Sequence, residues 1–213
     1  MTGEVSGWEL AYRDSPTRDR EIPHEDAASL HELFQKQGVR RILDLGCGDG
    51  RHLTCFGKLG YEMCGLDCAP TALRLAKEWL TGQGLSAGLA CAEMSAIPWP
   101  DGFFDAVISF QVINHGLLAD IRRAISEVHR ILGEGGWLFV TLGTCLAPGP
   151  VQFRGGYEIE PRTYVLTGHP AESGIPHHFF TTAELVSEFS RFRLADLHWD
   201  SRSRACLLAR KSG

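Results

Sequence analysis

Residues 42–50 read Ile42-Leu43-Asp44-Leu45-Gly46-Cys47-Gly48-Asp49-Gly50, an apolar run that ends in an acid and then a glycine turn. No other segment constrains the fold as much. A nearly unbroken apolar strand needs cover on both faces, as a parallel sheet flanked by helices gives it. The glycines that follow let backbone approach a ligand where a Cβ would clash. The dinucleotide fingerprint G-x-G-x-x-G asks for glycine at position 51, where Arg51 stands, and no Gly-Lys-Ser/Thr follows to complete a phosphate-binding loop. What remains is Asp-x-Gly-x-Gly-x-Gly, with a second acid, Asp67, 23 residues after Asp44 at the end of Cys64-Gly65-Leu66-Asp67. In nucleoside-binding α/β folds a carboxylate at this place accepts hydrogen bonds from ribose hydroxyls.

Periodicity extends the α/β reading along the chain. Strands are predicted at 41–45, 61–66, 87–92, 104–110 and 137–142, each closed by glycine, aspartate or another polar breaker. Helices are predicted at 26–37, 50–59, 70–81 and 117–132. In the last of these Ile121, Ile125, Val128 and Leu132 share a face, and Gly133, Gly135 and Gly136 are expected to stop it. Thr181-Thr182-Ala183-Glu184 is a capping-box sequence opening a short helix. The β-rich runs 192–199 and 205–209 follow too closely for a helix between them, so they should form an antiparallel hairpin. Residues 143–180, punctuated by proline and glycine, show little periodicity. Their length and their aromatics Phe153, Tyr157, Tyr164 and Phe179 suggest a partly ordered cap beside a site, or else a surface insertion.

Composition narrows the function. With 213 residues, 21 basic and 26 acidic side chains and a net charge of −5, one mildly acidic globular domain is expected. Basic residues come only in twos, as in Arg40-Arg41 and Arg122-Arg123, which offers no continuous track for a phosphate backbone, so no nucleic-acid partner is expected. No membrane helix is expected, and residues 1–14 lack the pattern of a signal peptide, so a cytoplasmic protein is the expectation. Seven scattered cysteines fit reduced thiols. Cys64 and Cys68 are the nearest pair, at a spacing that is weak evidence for metal, so no metal site is expected.

On Asp44 to Gly50 and Asp67 the chain resembles the class I S-adenosylmethionine-dependent methyltransferases, in particular the small methyltransferase-domain type found in many biosynthetic enzymes. Cys91-Ala92-Glu93-Met94 is similar to the family's adenine-binding segment, residues 103–109 to its fourth strand, and residues 132–136 to the turn before its fifth. The resemblance is strong over about residues 40–143. It implies a Rossmann-like three-layer sandwich whose seven-stranded sheet is mostly parallel, with one antiparallel strand in the C-terminal hairpin. It also implies S-adenosylmethionine as cofactor and a single methyltransferase domain. That domain divides into an N-terminal lid (1–39), a cofactor core (40–143), an acceptor cap (144–180) and a closing helix and hairpin (181–213). Under the resemblance Gly46, Cys47 and Gly48 approach the methionine part, Asp44 orients its ammonium, and Asp67 with Cys68 holds the ribose. Ala92, Glu93 and Met94 border the adenine, Phe110 and Gln111 line the transfer site, and Trp8 and Tyr12, four apart, either close over the cofactor or pack plainly against the domain. Met94 and Ile97 are open between adenine contact and core.

The acceptor is less legible. Residues 109–115, Ser-Phe-Gln-Val-Ile-Asn-His, stand where relatives that methylate planar amides or adenine amines carry Asn/Asp-Pro-Pro-Tyr/Phe, a motif absent here. That leaves small-molecule O, N, S or C acceptors open, with an RNA or protein acceptor as the alternative. His115 is a candidate base whose ordinary pKa suits neutral pH, or a structural histidine. His178, in His177-His178-Phe179-Phe180, is the second acceptor-side candidate, and Tyr157, Glu158 and His169 follow without a motif to rank them. A nicotinamide oxidoreductase, disfavoured by Arg51, and a cofactor-binding scaffold without catalysis are the competing classes. A monomer or homodimer is expected.

Overall fold

The computed structural model describes residues 7–14, 22–144, 156–167 and 174–212. Five parallel strands, β1 (Arg41–Leu45), β2 (Glu62–Asp67), β3 (Gly88–Cys91), β4 (Phe104–Phe110) and β5 (Leu132–Leu142), alternate with α3 (Arg51–Lys58), α4 (Pro70–Gly82) and α5 (Leu118–Ile131). Ahead of them come α1 (Gly7–Asp14) and α2 (Ala27–Lys36). The short strands β6 (Gly156–Glu160), β7 (Thr163–Leu166) and β8 (Pro176–His178) follow β5, then α6 (Thr182–Glu188) and the hairpin β9 (Phe192–Trp199) and β10 (Ala205–Lys211). The main sheet runs β3-β2-β1-β4-β5-β10-β9. Only β10 runs against the rest, pairing antiparallel with both β5 and β9.

Alternation along the strands splits the core into two layers. Leu43, Leu66, Val107, Leu138 and Leu207 face one side, where Ile121, Ile125 and Val128 of α5 and Leu185 of α6 cover them. Ile42, Met63, Ile108, Phe139 and Cys206 face the other, beneath Leu30 and Phe34 of α2, Phe56 of α3 and Leu80 of α4. Phe34, Phe56, Phe104, Phe139 and Phe180 are fully buried. Each stabilises the fold by about 2–3 kcal/mol relative to an exposed ring.

Two expectations change. The glycines at 133–136 do not form a turn outside the sheet, because β5 begins directly after α5 at Leu132. The extra residues leave the ladder between Phe104↔Leu132 and Ala106↔Trp137 as a bulge. The stretch without periodicity holds a second sheet, β6-β7-β8, all antiparallel. It is tied to the core through its last strand, where Gly116 N–H donates to Pro176 O at 2.9 Å and His178 N–H to Asn114 O at 2.7 Å. Cys145, Phe153 and His169 lie outside the described residues.

Candidate active site

The strand order reverses between β1 and β4, and in an open α/β sheet a ligand crevice forms at that switch point beyond the carboxyl ends of the strands. A cleft of about 170 Å³ opens there. Gly46 after β1, Asp67 and Cys68 at the end of β2, Ala92, Glu93 and Met94 after β3, and Phe110 and Gln111 at the end of β4 form its walls. Trp8 and Tyr12 of α1 roof it, and His115 closes the far end. Leu66 and Val112, which the sequence reading did not single out, complete the lining; only their place beside Asp67 and Gln111 in the chain could have suggested them.

The glycine turn is held from below. Gly46 N–H and Cys47 N–H both donate to Leu66 O, at 2.7 and 2.9 Å, and Ser109 Oγ donates to Leu45 O at 3.1 Å. Gly46 and Gly48 have φ of 73° and 53°, the left-handed region that favours glycine. A Cβ on Gly46 would overlap Val112, and one on Gly48 would overlap the Tyr12 hydroxyl, so roof and loop pack without room for a side chain. Asp67 accepts from Gly48 N–H through Oδ2 and from Ala69 N–H through Oδ1, both at 2.9 Å. Burial raises its pKa against the pull of these amides. Asp67 thus fixes the glycine loop while its carboxylate edge lines the cleft.

Asp44, Cys47 and Gly48 stand behind this lining. Cys47 belongs to the α2–α4 core layer, where a Cβ at Gly65 would meet its Sγ, and burial pushes its thiol well up. Asp44 is buried, and its Oδ2 has no hydrogen-bond partner among the described residues. Burial raises its pKa to about 7, with Arg51 pulling the other way. Gln111, at φ 61°, is pinned by its backbone N–H to Thr141 Oγ1 at 3.0 Å, while its buried Nε2 has no partner among the described residues.

The two histidine candidates separate. His115 lines the cleft, with the Trp8 ring 4.8 Å and the His177 ring 4.6 Å from its own. His178 is not in the cleft. Consecutive strand residues point to opposite faces, and His178 turns into the core, where it is fully buried, with Nδ1 2.8 Å from Thr163 Oγ1 and its ring against Phe180. Burial lowers its pKa, against the nearby Glu184. Tyr157 and Glu158 stand on β6, with Tyr157 exposed. Ile97 belongs to the core and not to the cleft, whereas Met94 lines the cleft.

The roof helix is anchored as well as packed. Glu9 accepts from Thr71 N–H at 2.9 Å, Thr71 Oγ1 at 2.7 Å and Arg13 Nε at 2.9 Å. Although burial raises the Glu9 carboxyl, these hydrogen bonds carry it below the usual range. The floor under Phe110 is the His52 ring, stacked at 3.7 Å and 17°, whose Nε2 accepts from His24 N–H at 3.1 Å.

Known proteins resemble this chain over the strands that build the cleft. Residues 43–140 match a family model described as a methyltransferase domain. The demethylmenaquinone methyltransferase of Thermus thermophilus is 37% identical over 112 residues, 51% of this chain and 50% of that enzyme. The 18S rRNA (guanine-N(7))-methyltransferase of Schizosaccharomyces pombe is 33% identical over 105 residues, 49% of this chain and 38% of that enzyme. The chain thus spans about half or less of the length of these two curated relatives. In fold it is similar to an amino pentose methyltransferase from Micromonospora echinaspora, solved with S-adenosylmethionine bound, at TM-score 0.68 and 22% identity over 100% of this chain and 99% of that one. The residues fit this cofactor: two glycines present bare backbone, and the buried Asp44 carboxylate and Gln111 amide hold unused hydrogen-bonding capacity beside the turn. Over residues 43–140 the chain is similar to the methyltransferase domain family, and its seven-stranded sheet with a single reversed strand has the fold of the solved methyltransferase it resembles.

Proposed function

We propose that this chain binds S-adenosylmethionine in the β1–β4 cleft and transfers its methyl group to a small-molecule acceptor. When bound, the cofactor supplies a methyl carbon activated by the neighbouring sulfonium. Asp67 would hold the ribose hydroxyls, Asp44 and the turn at Gly46 and Gly48 the amino-acid part, and Ala92, Glu93 and Met94 the adenine. The protein's task is then to align the acceptor with the methyl carbon and to keep water out, a positional contribution of several kcal/mol. Trp8, Tyr12 and the Phe110 ring serve that exclusion. His115, in contact with Trp8 and His177, is placed to take a proton from an O–H or N–H acceptor.

The observation that carries the small-acceptor reading is the roof: among the described residues Trp8, Tyr12 and His115 line a cleft of only about 170 Å³. The net charge of −5 supports it against a polyanion. We read the chain as one domain in which β6–β8 caps the acceptor end. A panel of quinols, phenols, amines and sugars, with S-adenosylhomocysteine release as readout, tests this. Turnover with a small acceptor is expected; turnover confined to ribosomal RNA would replace the small-molecule reading with that of the fission-yeast relative.

A further inference from the structure

Behind the cleft floor, the segment before α2 meets the C-terminal hairpin through a cluster that the methyl-transfer site does not use. Asp26 Oδ2 lies 3.2 Å from His198 Nε2 and 3.3 Å from His24 Nδ1. The outer nitrogen of each ring faces another carboxylate: His198 Nδ1 is 2.7 Å from Asp196 Oδ2, and His24 Nε2 is 3.1 Å from Asp200 Oδ2. Cys206 completes the group. Its Sγ and the ligand atoms of Asp26 and His198 all lie within 4.8 Å of one another, and it forms a second such triangle with His24 and Asp200. Cys206 is fully buried, and His24 and Asp200 are nearly so.

We propose that Asp26, His198 and Cys206 bind a divalent transition-metal ion of the zinc class, with solvent at the fourth position, fastening the start of α2 to the β9–β10 hairpin. Donor atoms around such an ion at bond lengths of about 2.0–2.1 Å are about 3.3 Å apart at tetrahedral geometry. The nitrogen–oxygen distance between His198 and Asp26 already has that length. A histidine that binds metal through one nitrogen commonly gives its other nitrogen to a carboxylate, which fixes the ring, and the His198 ring has that arrangement through Asp196. Sulfur, an imidazole and a carboxylate select a borderline-soft ion over calcium or magnesium, which want oxygen.

Charge points the same way. Asp26, Asp196 and Asp200 gather in the cluster, with Arg204 Nε, 2.5 Å from Asp200 Oδ2, as a cation on one of them. A divalent ion balances the Asp26 carboxylate and a Cys206 thiolate, and the thiol proton leaves to solvent on binding. The competing account is a hydrogen-bonded network, in which Asp26 N–H donates to His24 Nδ1 at 3.3 Å and no metal enters.

Cobalt(II) added to the untagged, reduced and metal-stripped full chain tests the proposal. One equivalent per chain should bind, with a thiolate-to-cobalt charge-transfer band that zinc displaces. Cys206→Ser should abolish the band, Cys55→Ser on α3 should keep it, and Asp196→Asn should weaken cobalt binding about tenfold or more. If Cys206→Ser does not fold, the wild-type titration still decides. A cooperatively folded wild-type chain without the band, or a band that survives Cys206→Ser, overturns the proposal.

Discussion

Asp44 carries two opposed demands. A carboxyl whose folded pKa stands near 7 instead of 3.8 binds its proton more tightly in the folded chain. Stability is therefore lost as pH rises from about 4 to 7 and is level above that, at a cost of up to about 4 kcal/mol. Asp44→Asn is expected to gain on the wild type in thermal melts across that window, with no further gain above it, while losing cofactor affinity because the ammonium loses its counter-charge. A stability difference that stays constant from pH 4 to 8 would show that Asp44 is not held near neutrality. At this scale the sequence was most legible where spacing carries chemistry: the glycine turn and Asp67 fall where Asp-x-Gly-x-Gly-x-Gly and the strand-end acid place them. It was least legible in His177-His178, where the choice depends on which face of β8 each residue takes. No periodicity in so short a strand tells that, and the structure puts His177 beside His115 and His178 in the core.

Among elements, α1 and α6 make separate claims. The roof over the cleft hangs on Glu9, so Glu9→Ala should free α1 from α4, quicken amide exchange along residues 7–14 and weaken cofactor binding about tenfold, as the loss of one to two hydrogen bonds implies. Unchanged exchange in that variant would mean that α1 is held by its apolar packing alone. For α6, Thr181 Oγ1 accepts from Glu184 N–H at 3.1 Å while Glu184 Oε2 accepts from Thr181 N–H at 3.2 Å. Thr181→Ala should cost about 1 kcal/mol, a Tm drop of about 2–4 °C for a chain of this size. That helix was readable because a capping box is a local signal. The sheet β6–β8 was not, because strands of three to five residues between glycines and prolines give alternation too little length to register.

For the whole molecule, the hairpin does more than complete the sheet. β10 covers β5 along Trp137–Leu142, and Leu207 packs into the same layer as Leu138 and Val140. A chain ending at residue 191 should expose that edge and aggregate, as size-exclusion chromatography would show. A monodisperse, folded truncation would mean that the five parallel strands suffice alone. The hairpin also receives the segment before α2: Ser201 N–H donates to Glu25 Oε1 at 2.8 Å, and Asp26 reaches His198. The parallel core and its reversed strand were legible because each strand is an apolar run with clear breakers. The cluster of Asp26, His198 and Cys206 was not, since its members stand far apart in the chain and the sequence offered only the nearby pair Cys64 and Cys68. No helix among the described residues is long and apolar enough to cross a membrane.

The central claim, that the cleft between β1 and β4 holds the methyl-donor cofactor, is tested most directly by calorimetric titration of the full chain with S-adenosylhomocysteine. One site per chain is expected in the wild type, with affinity reduced by about 1–3 kcal/mol in a folded Asp67→Ala variant. A folded wild-type chain that shows no binding, or an Asp67→Ala variant that binds as tightly as the wild type, would contradict the account.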